Sequence, residues 1–182
     1  MKEKELPYFI DTLSSLKKAY QKLNNEVKVQ DKSYKDLQKY MIDYKSELDK
    51  FEVYDYQQTL SMIDKQGYAQ VMELEQIKKL IISPYFGRFD FIYEGESFED
   101  AESFYVGRYG FRDEEGTNLI YDWRAPVCNM YYEFEIGQAY YEAMERRFDG
   151  NITNKRQIKI ENSQIQYVID SSLTIQDEVL QQ

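Results

Sequence analysis

The stretch "LIYDWRAPVCNMYYEF", Leu119 to Phe134, holds the only Trp and the only Cys of the chain and sets an acid and a base on either side of that Trp. A carboxylate and a guanidinium two residues apart can pair with each other or serve a reaction. Catalysis would also require a nucleophile or a second clustered carboxylate, and the surrounding residues specify neither. With no His anywhere and one Cys, the usual zinc sites, Ser-His and Cys-His nucleophile pairs and an internal disulfide are excluded. The remaining reading is a structural lock. Asp122 and Arg124 share one face of a strand and bond Arg88, Arg108 or acidic partners, while Trp123 anchors a small core from the other face. Cys128 is expected as a small core residue after the strand-stopping Pro126. The loop "EGESFEDAES" lacks the Asp-x-Asp-x-Asp-Gly spacing of a calcium loop and reads as solvated charge. No catalytic, cofactor or metal residue is therefore assigned.

The elements that position these residues fall into two parts. The 182 residues are 42% hydrophobic and 31% charged, as in soluble proteins, and no apolar run is long enough for a membrane span or signal peptide. A cytoplasmic protein is expected. Residues 1–82 carry 14 Lys and 14 acids, whereas residues 83–182 carry 9 Lys and Arg against 19 acids and so hold the whole net charge of −10. An acidic second half repels a phosphate backbone, which argues against direct nucleic-acid binding even though its aromatics could stack on bases.

Apolar residues at 6, 9, 13, 16, 20, 23, 27, 34, 37, 41, 44, 48 and 51 step alternately by three and four, with only Gln30 polar on the seam. This heptad stripe predicts a helix. A break is expected at Phe51–Asp55, with Asp55 and Gln58 as a capping box. A second stripe runs through Tyr56, Leu60, Ile63, Leu74, Ile77 and Ile81 to Pro84, with Gly67 and Gln70 at its weak middle. The result is an antiparallel coiled-coil hairpin over 1–82, whose returning helix reaches ~40 Å. Its turn is net acidic. Asp49, Glu52 and Asp55 there are either a solvated tip or a partner-binding end.

From Tyr85 the period changes to alternation. "YFGRFDFIYEG" and "YVGRYGFRDEEG" repeat at an offset of 20 and look like sister strands. "NLIYDWRAP" is a third, and further strands are expected at Met130–Ile136, at Ala139–Met144, and in "NKRQIKIEN" and "SQIQYVIDS", the last two joined as a hairpin through Asn162-Ser163. The fold class is α+β: the hairpin, then a tyrosine-rich, antiparallel, partly rolled sheet of six or seven strands over 83–182.

"SPYFGRFDF", "FYVGRYGF", "LIYDWRAPVCNMYYEF" and "NKRQIKIEN...IDSSLTIQDEVLQ", in this order, resemble the N-terminal region of HelD-type helicases, superfamily 1 relatives of UvrD and Rep that associate with bacterial RNA polymerase. The resemblance covers 83–182 by motif and 1–82 only in kind, as a helical arm. It implies an arm that enters the polymerase secondary channel, a sheet that packs on polymerase and on the motor domains of the same parent chain, and ATP and Mg in those motor domains. Nothing here fits G-x-x-x-x-G-K-[ST], so no ATPase activity is expected of this stretch, which reads as the N-terminal piece of a longer helicase. The alternative is a stand-alone helical-hairpin regulator that blocks the channel without a motor.

Overall fold

The computed structural model describes residues 1–171. The fold is α+β, two long helices followed by a mixed sheet of seven strands that does not close. Contacts divide the chain into two compact units, one comprising Met1–Leu16 with the chain from Lys79 onward, the other Lys17–Lys78. The first sixteen residues of the helical region group with the sheet.

Helix α1 spans Lys2–Asp43 and α2 spans Lys50–Ile82, ending where Pro84 forbids continuation. Side chains of both helices meet within the arm unit, as at Tyr40 and Tyr56, whose rings lie 5.7 Å apart edge to face. The turn differs from expectation. The Asp49 carboxylate accepts from the backbone N–H groups of Phe51 (2.9 Å) and Glu52 (2.8 Å), so Asp49 caps α2 and Asp55 lies inside it. Asp49-Lys50-Phe51-Glu52 has the same acid-x-x-acid spacing as a capping box, and Leu48 and Val53 take the two staple positions around it, so the earlier site wins.

The strands are β1 (Gly87–Tyr93), β2 (Glu102–Gly107), β3 (Phe111–Arg112), β4 (Asn118–Asp122), β5 (Gly137–Ala143), β6 (Arg146–Glu161) and β7 (Gln164–Asp170), in the order β3-β4-β2-β1-β6-β5, with β7 also on β6. The sixteen-residue β6 is the backbone of the sheet. It pairs with β1 on one edge and with β5 and β7 at either end of the other. Two-residue turns with positive φ close both hairpins, Met144-Glu145 (52° and 61°) and Asn162-Ser163 (50° and 60°).

Three expectations fail here. The sheet is mixed, because β2 and β4 run parallel with Val106 opposite Tyr121. The chain leaves β2, forms the short β3, reverses through an Asp113 turn, and so re-enters beside β2 in the original direction. The Gly-Arg repeats are not sister strands either: Gly87 opens β1, whereas Gly107 closes β2. A side chain at Gly107 would place its Cβ 2.5 Å from the Pro84 carbonyl oxygen, so the position requires glycine for close approach. Met130–Ile136 is not a strand. A 3₁₀ turn at Pro126–Cys128 leads into a short helix α3 (Asn129–Glu133), and Val127, Met130 and the partly buried Tyr131 and Phe134 recur at helical spacing.

One face of the sheet carries the apolar core: Phe89, Phe91, Phe104, Val106, Ala139 and Ile152 pack with Val127, Cys128 and Met130. Cys128 is fully buried there, as expected, and burial pushes its thiol up to about 12. On β1 and β2 the alternation sends Arg88 and Tyr105 to the opposite face, where the first turns of α1 lie.

Candidate functional site

In the sheet unit, α1 buries Glu5, Phe9, Thr12 and Leu16, each at most 4% exposed. That stripe keeps Phe9 and Leu16 of the heptad stripe but takes Glu5 and Thr12 in place of the less buried Leu6 and Leu13, so an acid lies on it. The Glu5 carboxylate accepts from Arg88 Nη1 (2.9 Å), from Tyr105 Oη (2.9 Å) and from Arg156 Nη1. Arg88 continues to Asp90 at 3.1 Å, and Arg156 to Asp170 at 3.0 Å. Arg88 and Arg156 are cross-strand partners of β1 and β6, so a buried acid of the helix joins two strands that are already paired. Tyr8 stacks on Tyr105 with ring centroids 3.8 Å apart and donates to the Leu119 carbonyl. Burial pushes the Tyr8 phenol up to about 12 and those of Tyr85 and Tyr105 further above their usual range. Burial opposes the charge of Arg88, but Tyr105, Asp90 and Glu5 outweigh it and the guanidinium stays firmly protonated. Glu5, Arg88, Tyr105, Arg156 and their acids are committed to one another, and their chemistry is cohesion, while the buried Tyr85 hydroxyl has no hydrogen-bond partner among the described residues.

The residues singled out from sequence do not assemble as one lock. Asp122 and Arg124 do pair, through Nη2 to Oδ2 at 2.8 Å and Nε to Oδ1 at 3.0 Å. The Arg124 hydrogen bonds hold the Asp122 carboxyl below its usual range. Asp122 ends β4, however, and Arg124 lies in the turn that follows, so the two do not share a strand face. The Arg124 N–H also bonds Asp122 Oδ1, and the Trp123 N–H bonds the Gly107 carbonyl. Trp123 consequently points outward, 46% exposed, with Tyr132 edge to face at 6.4 Å. The expectation that it is buried is wrong, because Phe89, Phe91 and Phe104 fill the core in its place. Arg88 joins the Glu5 network, and Arg108 is exposed beside the Tyr109 ring at 5.9 Å.

In the arm unit, Asp49, Glu52 and Asp55 are all exposed, and Asp49 is occupied in capping α2. Sequence reasoning missed their neighbours. Ile42 (74% exposed), Phe51 (73%) and Tyr54 (60%) stand in solvent around the same turn, so the tip is aromatic as well as acidic. The clue was available: Phe51 follows the cap Asp49 by two residues and so faces away from the seam it was assigned to. Among the described residues no group of three acids or thiols is placed to hold a metal ion, and no helix is long and apolar enough to cross a membrane.

Two long helices that lead into a tyrosine-rich mixed sheet agree with what the sequence motifs imply, and a family comparison decides the matter. The profile of the family described as "DNA helicase IV HelD, N-terminal domain" matches residues 12–182, more than nine-tenths of the chain. The chain belongs to the HelD N-terminal domain family. None of the curated proteins searched matches it. As a HelD N-terminal domain it is a helicase N-terminal module. The matched span takes in the sheet and most of both helices, and so includes the arm for which the motifs alone gave no specific resemblance.

Proposed function

We propose that this chain is the RNA-polymerase-docking module of a HelD-type helicase, with the arm tip entering the polymerase secondary channel and the sheet unit packing on polymerase and on the motor domains. ATP and Mg belong to those motor domains. The observation that carries the reading is the turn at residues 44–49: it closes two long helices and surrounds the exposed Glu52 and Asp55 with exposed Ile42, Phe51 and Tyr54. The 33 residues of α2 amount to ~50 Å of helix, ample for a channel of protein dimensions. Carboxylates suit a site that holds a hard cation and repel phosphates, while exposed aromatics supply contact area to a protein wall. The acids and aromatics therefore favour a protein-lined, metal-bearing pore over a nucleic-acid groove.

The test is binding of purified bacterial RNA polymerase to the chain and to a tip variant, Glu52→Gln with Asp55→Asn and Phe51→Ser. The cap runs from Asp49 to the backbone N–H groups of Phe51 and Glu52, which the substitutions keep, and all three side chains are exposed, so the fold is retained. The reading expects the variant to lose at least about tenfold in affinity, the loss typical of removing one anchor residue. Equal affinity would refute a working tip.

A further inference from the structure

Three seam positions of the arm lack an apolar side chain, Gln30 on α1 and Gly67 and Gln70 on α2, and the fold brings them to one level. Gln30 and Gln70 line a common groove of about 360 Å³. Gln30 and Gly67 line another of about 460 Å³, with Val27 and Tyr34 facing Ile63 and Val71. The Oε1 atoms of both glutamines are shielded from solvent and have no hydrogen-bond partner among the described residues. A Cβ added at Gly67 would meet nothing within 4 Å, so this glycine serves no close approach and leaves a gap. On one side of this level the seam is closed, with Leu23 9% and Ile77 6% exposed; toward the turn Tyr40 packs on Tyr44 and Tyr56, with Tyr40 and Tyr44 42% and 45% exposed.

Each feature weighs against the closed form at this level. A shielded amide oxygen without a donor loses its hydration while the helices are together and regains it when they part. A gap forfeits the dispersion contacts that a seam side chain would make. Glycine within a helix carries more backbone freedom in the open form than any other residue. We propose that the arm contains a compliant segment, residues 27–34 of α1 against 63–71 of α2, where the helices part locally before the rest of the arm unfolds. The segment lies ~20 Å of helix from the turn, thirteen residues from Gln30 to Asp43. If the arm threads a channel as proposed above, it bends at this level; the compliance itself does not depend on that reading.

Amide hydrogen exchange on the whole chain, read by mass spectrometry, tests it. Amides at 28–34 and 64–71 are expected to exchange about tenfold or more faster than those at 56–62 and 74–78. Replacing the polar pair, Gln30→Leu with Gln70→Leu, is expected to slow exchange at this level about tenfold and to leave the flanking rates unchanged. Gly67→Ala should slow it about fivefold without altering seam polarity, and decides the matter if the leucine variant changes oligomeric state. Local slowing in a monomeric variant supports the proposal. A flat exchange profile in the parent chain, or rates at this level unmoved by both variants, overturns it.

Discussion

Removing the Glu5 side chain should unfold the sheet unit more readily than any change at Asp122, Trp123 or Arg124. Glu5 is fully buried and accepts from two guanidinium groups and a phenol. Glu5→Ala leaves Arg88 with Asp90 and Arg156 with Asp170, but strips each of its shared, desolvated counter-charge and removes the acceptor of the Tyr105 hydroxyl, which keeps only the bond it accepts from Arg88. Breaking a buried ion pair by deleting one partner costs about 3–5 kcal/mol. Against a total of roughly 5–15 kcal/mol that loss is a large share of the stability. Glu5→Gln keeps the shape and an acceptor and should cost less, about 1.5–3 kcal/mol, the worth of a hydrogen bond to a charged group. The assay is urea unfolding followed by near-ultraviolet circular dichroism. A midpoint shift equivalent to less than about 1 kcal/mol for Glu5→Ala would refute the view that this acid holds α1 to the sheet.

Asp49→Ala should cost the arm about 1 kcal/mol, and Asp49→Asn almost nothing, since the amide oxygen still accepts from Phe51 and Glu52; thermal melts at 222 nm read both. Trp123→Ala should change stability by no more than about 0.5–1 kcal/mol, because the indole lies in solvent, and the parent's emission maximum should be that of a half-exposed Trp. Stability should fall at alkaline pH. The Tyr85 and Tyr105 phenols are held above their ordinary value by burial, so above about pH 10 the unfolded chain releases protons that the folded chain retains. Their stabilising contribution is intact below that pH and is lost above it, by up to about 1.4 kcal/mol per unit for each. Urea midpoints between pH 8 and 11 check the slope, and a flat profile would contradict it.

Periodicity made the helices, the strand core of β1 and the Asn162-Ser163 hairpin legible, because each follows from local pattern: heptads, alternation, and a two-residue turn. Pairing over long distance was not legible. The β2–β4 parallel pair depends on a two-residue strand and an Asp113 turn, and neither has a periodic signal. Trp123 was assigned to the core on size alone, yet three Phe residues on β1 and β2 already fill that volume and the Asp122 turn directs the indole outward. Glu5 was passed over because a charged residue beside an apolar stripe reads as solvated. Its burial becomes visible only when Arg88 and Arg156, 83 and 151 residues away in sequence, converge on it. At the tip, the expected cap, Asp55, differs from the observed one, Asp49, by six residues, since two acid-x-x-polar patterns compete and sequence spacing does not rank them.

The most direct test of the account is site-specific photo-crosslinking from the tip. A photoreactive amino acid at Phe51, which is 73% exposed, and a control at Met144, which is 86% exposed on the β5–β6 turn, are each incubated with purified bacterial RNA polymerase. The account predicts cross-links from position 51 to polymerase segments that line the secondary channel, lost when the channel is filled by another hairpin-shaped factor. Polymerase binding with no cross-link from position 51, or cross-links there that survive channel blockade, would contradict it.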